Sequence, residues 1–136
     1  MKLTVLGPGC WGLTLAWLLT DNFDEVVVWG RESDLSDDLK NNKHCSKPLE
    51  VQLQDKVVTT SDLKDAIKNA DMIMLVVATG GIRPVCEQLK TAGIKNDQIL
   101  INASKGFAPS FMLILIISAI PLVRSEPAQL SPNFIS

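Results

Sequence analysis

Apolar positions in this chain fall into short blocks, separated by polar, glycine-rich or capped segments. Lys2–Leu6 opens the chain with Leu3, Val5 and Leu6, a short buried strand. Residues 13–19 are almost wholly apolar and predict a helix. Glu25–Trp29 carries Val26-Val27-Val28, a second strand. Ser33 stands where it would cap a short polar helix running through about Asn41, and residues 42–48 read as a loop of mixed charge. A short strand follows over 56–59. Residues 61–70 start with a capping pattern and place Leu63, Ala66, Ile67 and Ala70 on one helix face. Residues 72–77 are continuously apolar, as in a central parallel strand covered on both faces. A helix over 82–91 tolerates Pro84 in its first turn and stops before Gly93, and residues 98–102 make one more strand. Strand and helix alternate throughout, which predicts an α/β fold with a doubly wound parallel sheet.

The first strand runs directly into Gly7-Pro8-Gly9-Cys10-Trp11-Gly12, a G-x-G-x-x-G turn between strand and helix. That frame makes the sheet Rossmann-type and points to a dinucleotide. Gly7 permits the tight turn, Gly9 lets the backbone approach a pyrophosphate, and Gly12 lets helix and strand pack closely. The first N–H groups and the positive end of the helix dipole then face the phosphates. The alternative is a glycine-rich turn that binds nothing.

A length of 136 residues accommodates one domain with a real core, and hardly two. The net charge is only −2, with no basic stretch of the kind that binds nucleic acid. Cys10, Cys45 and Cys86 are scattered without a C-x-x-C pair, which suits a reducing cytoplasm better than a disulfide scaffold. Met1-Lys2 leads straight into a strand, so no signal peptide is expected. The strongest apolar run, residues 111–117 continuing to Ile120, is too short to span a bilayer. It reads as a buried element or as a surface made for another domain.

In a Rossmann site an acid near the end of the second strand usually grips the adenosine ribose. Here that tip is Trp29-Gly30-Arg31-Glu32. The Arg31 guanidinium suits a 2′-phosphate, favouring NADPH or dual use, or else is a solvated loop arginine stacking on adenine. Glu32 is within reach of a ribose, so NADH stays open. Asn102-Ala103-Ser104-Lys105-Gly106 ends the last strand, where Lys105 would meet a phosphate or polarise a carbonyl, or be an ordinary surface lysine. Residues 76–81 close the central strand and would line the nicotinamide side, or form a plain turn. Cys10 reads first as a small turn residue and only second as a reactive thiol. Trp11 and Trp17 read as core or cofactor wall, and Asp34, Asp37 and Asp38 as a solvated face. His44 beside Cys45, without further spaced ligands, makes no metal site.

These residues together give a resemblance. Val5-Leu6-Gly7-Pro8-Gly9-Cys10-Trp11-Gly12, Trp29-Gly30-Arg31, Thr59-Thr60-Ser61-Asp62-Leu63, the segment 70–77 and Ser104-Lys105-Gly106 resemble, in order, the N-terminal domain of NAD(P)-dependent glycerol-3-phosphate dehydrogenases. They cover roughly the first 107 residues. The resemblance implies hydride transfer between NADPH or NADH and dihydroxyacetone phosphate, giving sn-glycerol 3-phosphate for phospholipid synthesis. It implies that Gly7, Gly9, Cys10, Trp11, Gly12 and Arg31 contact the cofactor and that Lys105 touches both cofactor and substrate.

The chain departs from the family pattern in places. Cys10 replaces the usual serine, Ala78-Thr79 replaces a common Pro-Ser, and Leu130-Ser131-Pro132-Asn133-Phe134 resembles L-S-G-P-N-F without its glycine. Residues 1–107 are then the NAD(P)-binding core, and 108–136 a degenerate end of that domain. The family's helical C-terminal domain, with its proton-donating lysine, is expected to be missing, so this chain alone is expected to bind cofactor weakly and turn over little. Two other readings stay open. One is a non-catalytic NAD(P)-binding module that holds a protein partner, or self-associates as a homo-oligomer, through residues 111–120. The other is a Rossmann dehydrogenase acting on a different hydroxy acid.

Overall fold

The computed structural model describes residues 1–46 and 50–104. The expectations for Lys105, Gly106, the apolar run at 111–120 and the degenerate end at 108–136 lie outside them.

Five strands form one parallel sheet: β1 (Lys2–Leu6), β2 (Glu25–Trp29), β5 (Val57–Thr60), β6 (Met72–Leu75) and β7 (Ile99–Asn102). Their spatial order is β5-β2-β1-β6-β7, so the direction of winding reverses between β1 and β6. Register puts Thr60, Trp29, Leu6, Leu75 and Asn102 in one row at the carboxyl edge. Side chains alternate across the pleat and build two cores. Leu3, Val5, Val26, Val28 and Met74 pack with Leu13 and Ala16 of α1 (Cys10–Leu19) and with Leu35 and Leu39 on one face. Leu6, Val27, Trp29, Ile73 and Leu75 pack with Ala66 and Ile67 of α3 (Leu63–Ile67) and with Ile82, Val85 and Leu89 of α4 (Thr79–Ala92) on the other. The doubly wound sheet predicted from alternation is therefore present, with both faces covered.

Element edges differ from the sequence reading for local reasons. Helix α1 starts at Cys10, not at residue 13, because the last three residues of the glycine turn are already helical and Gly9 is the N-cap. The polar helix α2 spans Asp37–Asn42, capped by Ser36 rather than Ser33: the Leu39 N–H donates to Ser36 Oγ at 3.1 Å. Glu32–Asp34 is instead a turn of 3-10 helix. Helix α3 is half the predicted length. Asn69 adopts φ 58°, and the buried Gln98 amide donates to the carbonyls of Ile67 and Ala70 at 2.7 and 2.9 Å, taking up the helix end. Helix α4 begins at Thr79 rather than at 82, so Gly80 and Gly81 are helical and Pro84 is interior. Gly93, at φ 85°, stops it as expected.

Part of the predicted loop at 42–48 is a strand. His44–Cys45 (β3) pairs antiparallel with Val51–Gln52 (β4), two residues a side, too short for any alternation to show. Of the core and cofactor-wall alternatives for Trp11 and Trp17 the core one fails, since Trp17 is 51% and Trp11 37% exposed, whereas Trp29 fills the core and donates its indole N–H to the Ser61 carbonyl at 3.0 Å.

Candidate functional site

A cleft of about 570 Å³ opens at the carboxyl edge of the sheet, over the point where winding reverses. Its floor is the glycine turn (Gly7, Pro8, Gly9), one wall is Trp29, Gly30, Arg31 and Asp34, and the other is residues 76–78 with Gly80, Gly81, Pro84, Val85 and Gln88 of α4. Its volume falls within the range of small-molecule and cofactor sites.

The three motif glycines have different jobs. Gly7 sits at φ +122°, and a Cβ there would lie 2.1 Å from the Val76 carbonyl oxygen. A Cβ on Gly12 would lie 2.0 Å from the Gly7 carbonyl oxygen. Both are glycines because the protein's own backbone leaves no room. Gly9 is unlike them. Its backbone is ordinary extended chain (φ −69°, ψ 171°), and a Cβ there would meet nothing within 4 Å. No internal contact demands a glycine at this position, and it lines the cleft. Space kept clear at the N-cap of a helix suits a closely approaching anion. The first turn of α1 carries no acid to repel one.

The rims of β6 and β7 are tied together beside this floor. Ser104 Oγ accepts from the Val77 N–H at 3.1 Å and donates to the Leu75 carbonyl at 3.2 Å, extending the ladder with a side chain. The Trp11 indole N–H donates to the Ala103 carbonyl at 3.0 Å, joining α1 to the end of β7. Cys10, Trp11 and Gly12 form the first helical turn, directly after Gly9 of the floor.

Arg31 and Asp34 form a closed unit at the outer end. The guanidinium donates from Nε and Nη2 to the two Asp34 carboxylate oxygens at 2.8 and 3.0 Å, and the Arg31 backbone N–H donates to the same carboxylate at 3.2 Å. The hydrogen bonds from Arg31 hold the Asp34 carboxyl below its ordinary pKa, and Asp34 raises that of Arg31. Asp34 is therefore no part of a freely solvated face. Glu32 is turned aside to Lys40, with Oε1 2.7 Å from Nζ. Asp38 departs from the solvated reading too: with Glu50 it brackets the His44 imidazole, at 2.6 and 3.3 Å, a structural role for that histidine. Among the described residues no group of three or more His, Cys, Asp or Glu side chains is placed to hold a metal ion. No helix among them is long and apolar enough to cross a membrane.

The cleft brings together Gly7, Gly9, Arg31, residues 76–78, Gly80 and Gly81. Asp34, Pro84, Val85 and Gln88 were missed. For Asp34 the available signal was its i,i+3 spacing from Arg31; the α4 residues lie inside the predicted helix, whose approach to the cleft is a tertiary feature.

The model for the NAD-dependent glycerol-3-phosphate dehydrogenase N-terminus matches residues 2–126. The chain belongs to that family. The glycerol-3-phosphate dehydrogenase (NAD(P)+) of Bacillus subtilis is 38% identical over 114 residues, covering 82% of this chain and 32% of the relative. That of Streptococcus uberis is 36% identical over 110 residues, 79% of this chain and 32% of the relative. The solved glycerol-3-phosphate dehydrogenase of Saccharomyces cerevisiae superposes with a TM-score of 0.73 at 24% identity, over 88% of this chain and 39% of that one, a likeness of fold. The chain spans about a third of the length of the curated relatives it matches, and the match falls in the family's NAD-binding N-terminal part.

Proposed function

We propose that this chain is the cofactor half of a glycerol-3-phosphate dehydrogenase, holding NADH or NADPH in the cleft over the glycine turn. The observation that carries the reading is Gly9, a glycine that the fold does not need, at a helix N-terminus on the cleft floor. Gly7 and Gly12 shape the turn, and Gly9 and the start of α1, with the amides of Cys10 and Trp11, receive the pyrophosphate. Arg31 and Asp34 meet the adenosine end, and residues 76–81 flank the nicotinamide. The bound nicotinamide supplies or accepts a hydride. Lys105 is assigned to both cofactor and substrate, the substrate pair being dihydroxyacetone phosphate and sn-glycerol 3-phosphate.

The cleft's own titratable side chains, Arg31 and Asp34, are bonded to each other at its outer end. General acid–base work on a carbonyl needs a group beside the reacting carbon. The contribution of the described residues is therefore binding and orientation, and the redox reaction belongs to the whole family protein. We assign the chain to the cytoplasm, where Cys10, Cys45 and Cys86 remain thiols.

Isothermal titration of the 136-residue chain with NADH and NADPH tests the reading. Saturable one-to-one binding of a dinucleotide is expected. A folded chain that binds neither contradicts it.

A further inference from the structure

The arginine that stands where a 2′-phosphate would be read already has a carboxylate in its fork. A guanidinium offers five N–H donors. Two of them, on Nε and Nη2, are taken by the two oxygens of Asp34 at 2.8 and 3.0 Å. The pairing is locked from the backbone as well, since the Asp34 N–H donates to the Arg31 carbonyl at 2.8 Å while the Arg31 N–H returns a bond to the Asp34 carboxylate at 3.2 Å. Both residues line the cleft beside Gly30 at the end of β2.

We infer that Asp34 sets the nucleotide preference of this cleft, favouring a cofactor with a free ribose 2′-hydroxyl by occupying the guanidinium of Arg31. The inference rests on the proposed cofactor reading and extends it. A 2′-phosphate arriving here must either break the bidentate pair or bind against a neutralised cation with a carboxylate beyond it. Like charge next to a phosphate costs affinity. A ribose hydroxyl meets the opposite situation, because Asp34 Oδ1 accepts only one of the three bonds from Arg31 and keeps acceptor capacity, while Oδ2 already takes two. The neighbouring cation offers no substitute: Lys40 Nζ is held by Glu32 at 2.7 Å and lies 3.9 Å from Asp37. Residues 30–40 carry Arg31 and Lys40 against Glu32, Asp34, Asp37 and Asp38, an acidic excess unsuited to a second phosphate. Arg31 taken alone favours NADPH; the pair reverses that.

The test is titration of the full chain with NADH and NADPH, in the wild type, Asp34→Asn, Asp34→Ala and the double variant Arg31→Ala/Asp34→Asn, with circular dichroism to establish folding. The wild type is expected to bind NADH more tightly than NADPH. Removing the Asp34 charge is expected to tighten NADPH about tenfold, equivalent to about 1.4 kcal/mol, while NADH does not tighten. The double variant is expected to lose that gain. One arm needs no variant: the wild type should bind 5′-AMP better than adenosine 2′,5′-bisphosphate, which isolates the extra phosphate. An unchanged NADPH-to-NADH ratio in both single variants, or a gain that survives loss of Arg31, overturns the inference alone. Failure of the folded wild type to bind any of these nucleotides overturns the cofactor reading and the inference together.

Discussion

The glycine turn and the segment after β2 form adjacent walls of one cleft and are made in opposite ways. The turn is backbone against backbone, where Gly7 and Gly12 approach carbonyl oxygens too closely for any side chain. The segment from Gly30 to Lys43 is held by charged and polar side chains: Arg31 to Asp34, Lys40 to Glu32, Ser36 capping α2, and His44 closing onto Asp38. The first wall tolerates no side chain at Gly7 or Gly12. The second is a set of exposed pairs, each worth little for stability, which leaves it open to tuning specificity.

The sharpest separation comes from Gly7→Ala. A Cβ 2.1 Å from the Val76 carbonyl oxygen, at a positive φ, is expected to cost at least about 3 kcal/mol in urea denaturation. Gly30→Ala probes the seam between the two walls, since its Cβ would lie 2.4 Å from Pro8 Cγ. A loss of about 1–3 kcal/mol is expected, recovered in part when Pro8→Ala is combined with it. Additive losses in that double-mutant cycle would break the proposed contact. Ser36→Ala, inside the side-chain wall, removes the cap of α2 and should cost about 1 kcal/mol by the same measurement.

A smaller effect is expected from pH. Hydrogen bonding to Asp38, and then to Glu50, raises the His44 pKa above its ordinary 6.5. A raised folded-state pKa means that this stabilisation is fully present below the unfolded value and fades as pH rises through the folded one. Urea midpoints should therefore show a loss in that window above 6.5 that is smaller in Asp38→Asn, where Glu50 alone remains beside the imidazole. An identical profile in the variant would remove His44 from the network.

The same contrast explains what was legible in the sequence. The alternation of strands and helices, both covered faces and the glycine turn follow from period and punctuation, which are local properties. The segment after β2 did not read correctly. Its cap is three residues later than Ser33, its hairpin has only two residues a side, and the Arg31–Asp34 pair depends on a 3-10 turn that no periodicity marks. Helix α4 hid its start behind Gly80 and Gly81, poor helix formers, and the wall built by Pro84, Val85 and Gln88 depends on how that helix packs over the sheet edge. The distinction among the three glycines was assigned from the motif, yet only the atoms around each separate Gly9 from Gly7 and Gly12.

That distinction is also the most direct test. Gly9→Ala should leave the thermal midpoint and urea stability unchanged within about 0.5 kcal/mol, since its Cβ enters open space. NADH titration of the same sample should show affinity reduced about tenfold or more. A variant that is as stable as the wild type and binds NADH equally well would contradict the claim that this glycine is kept for a dinucleotide.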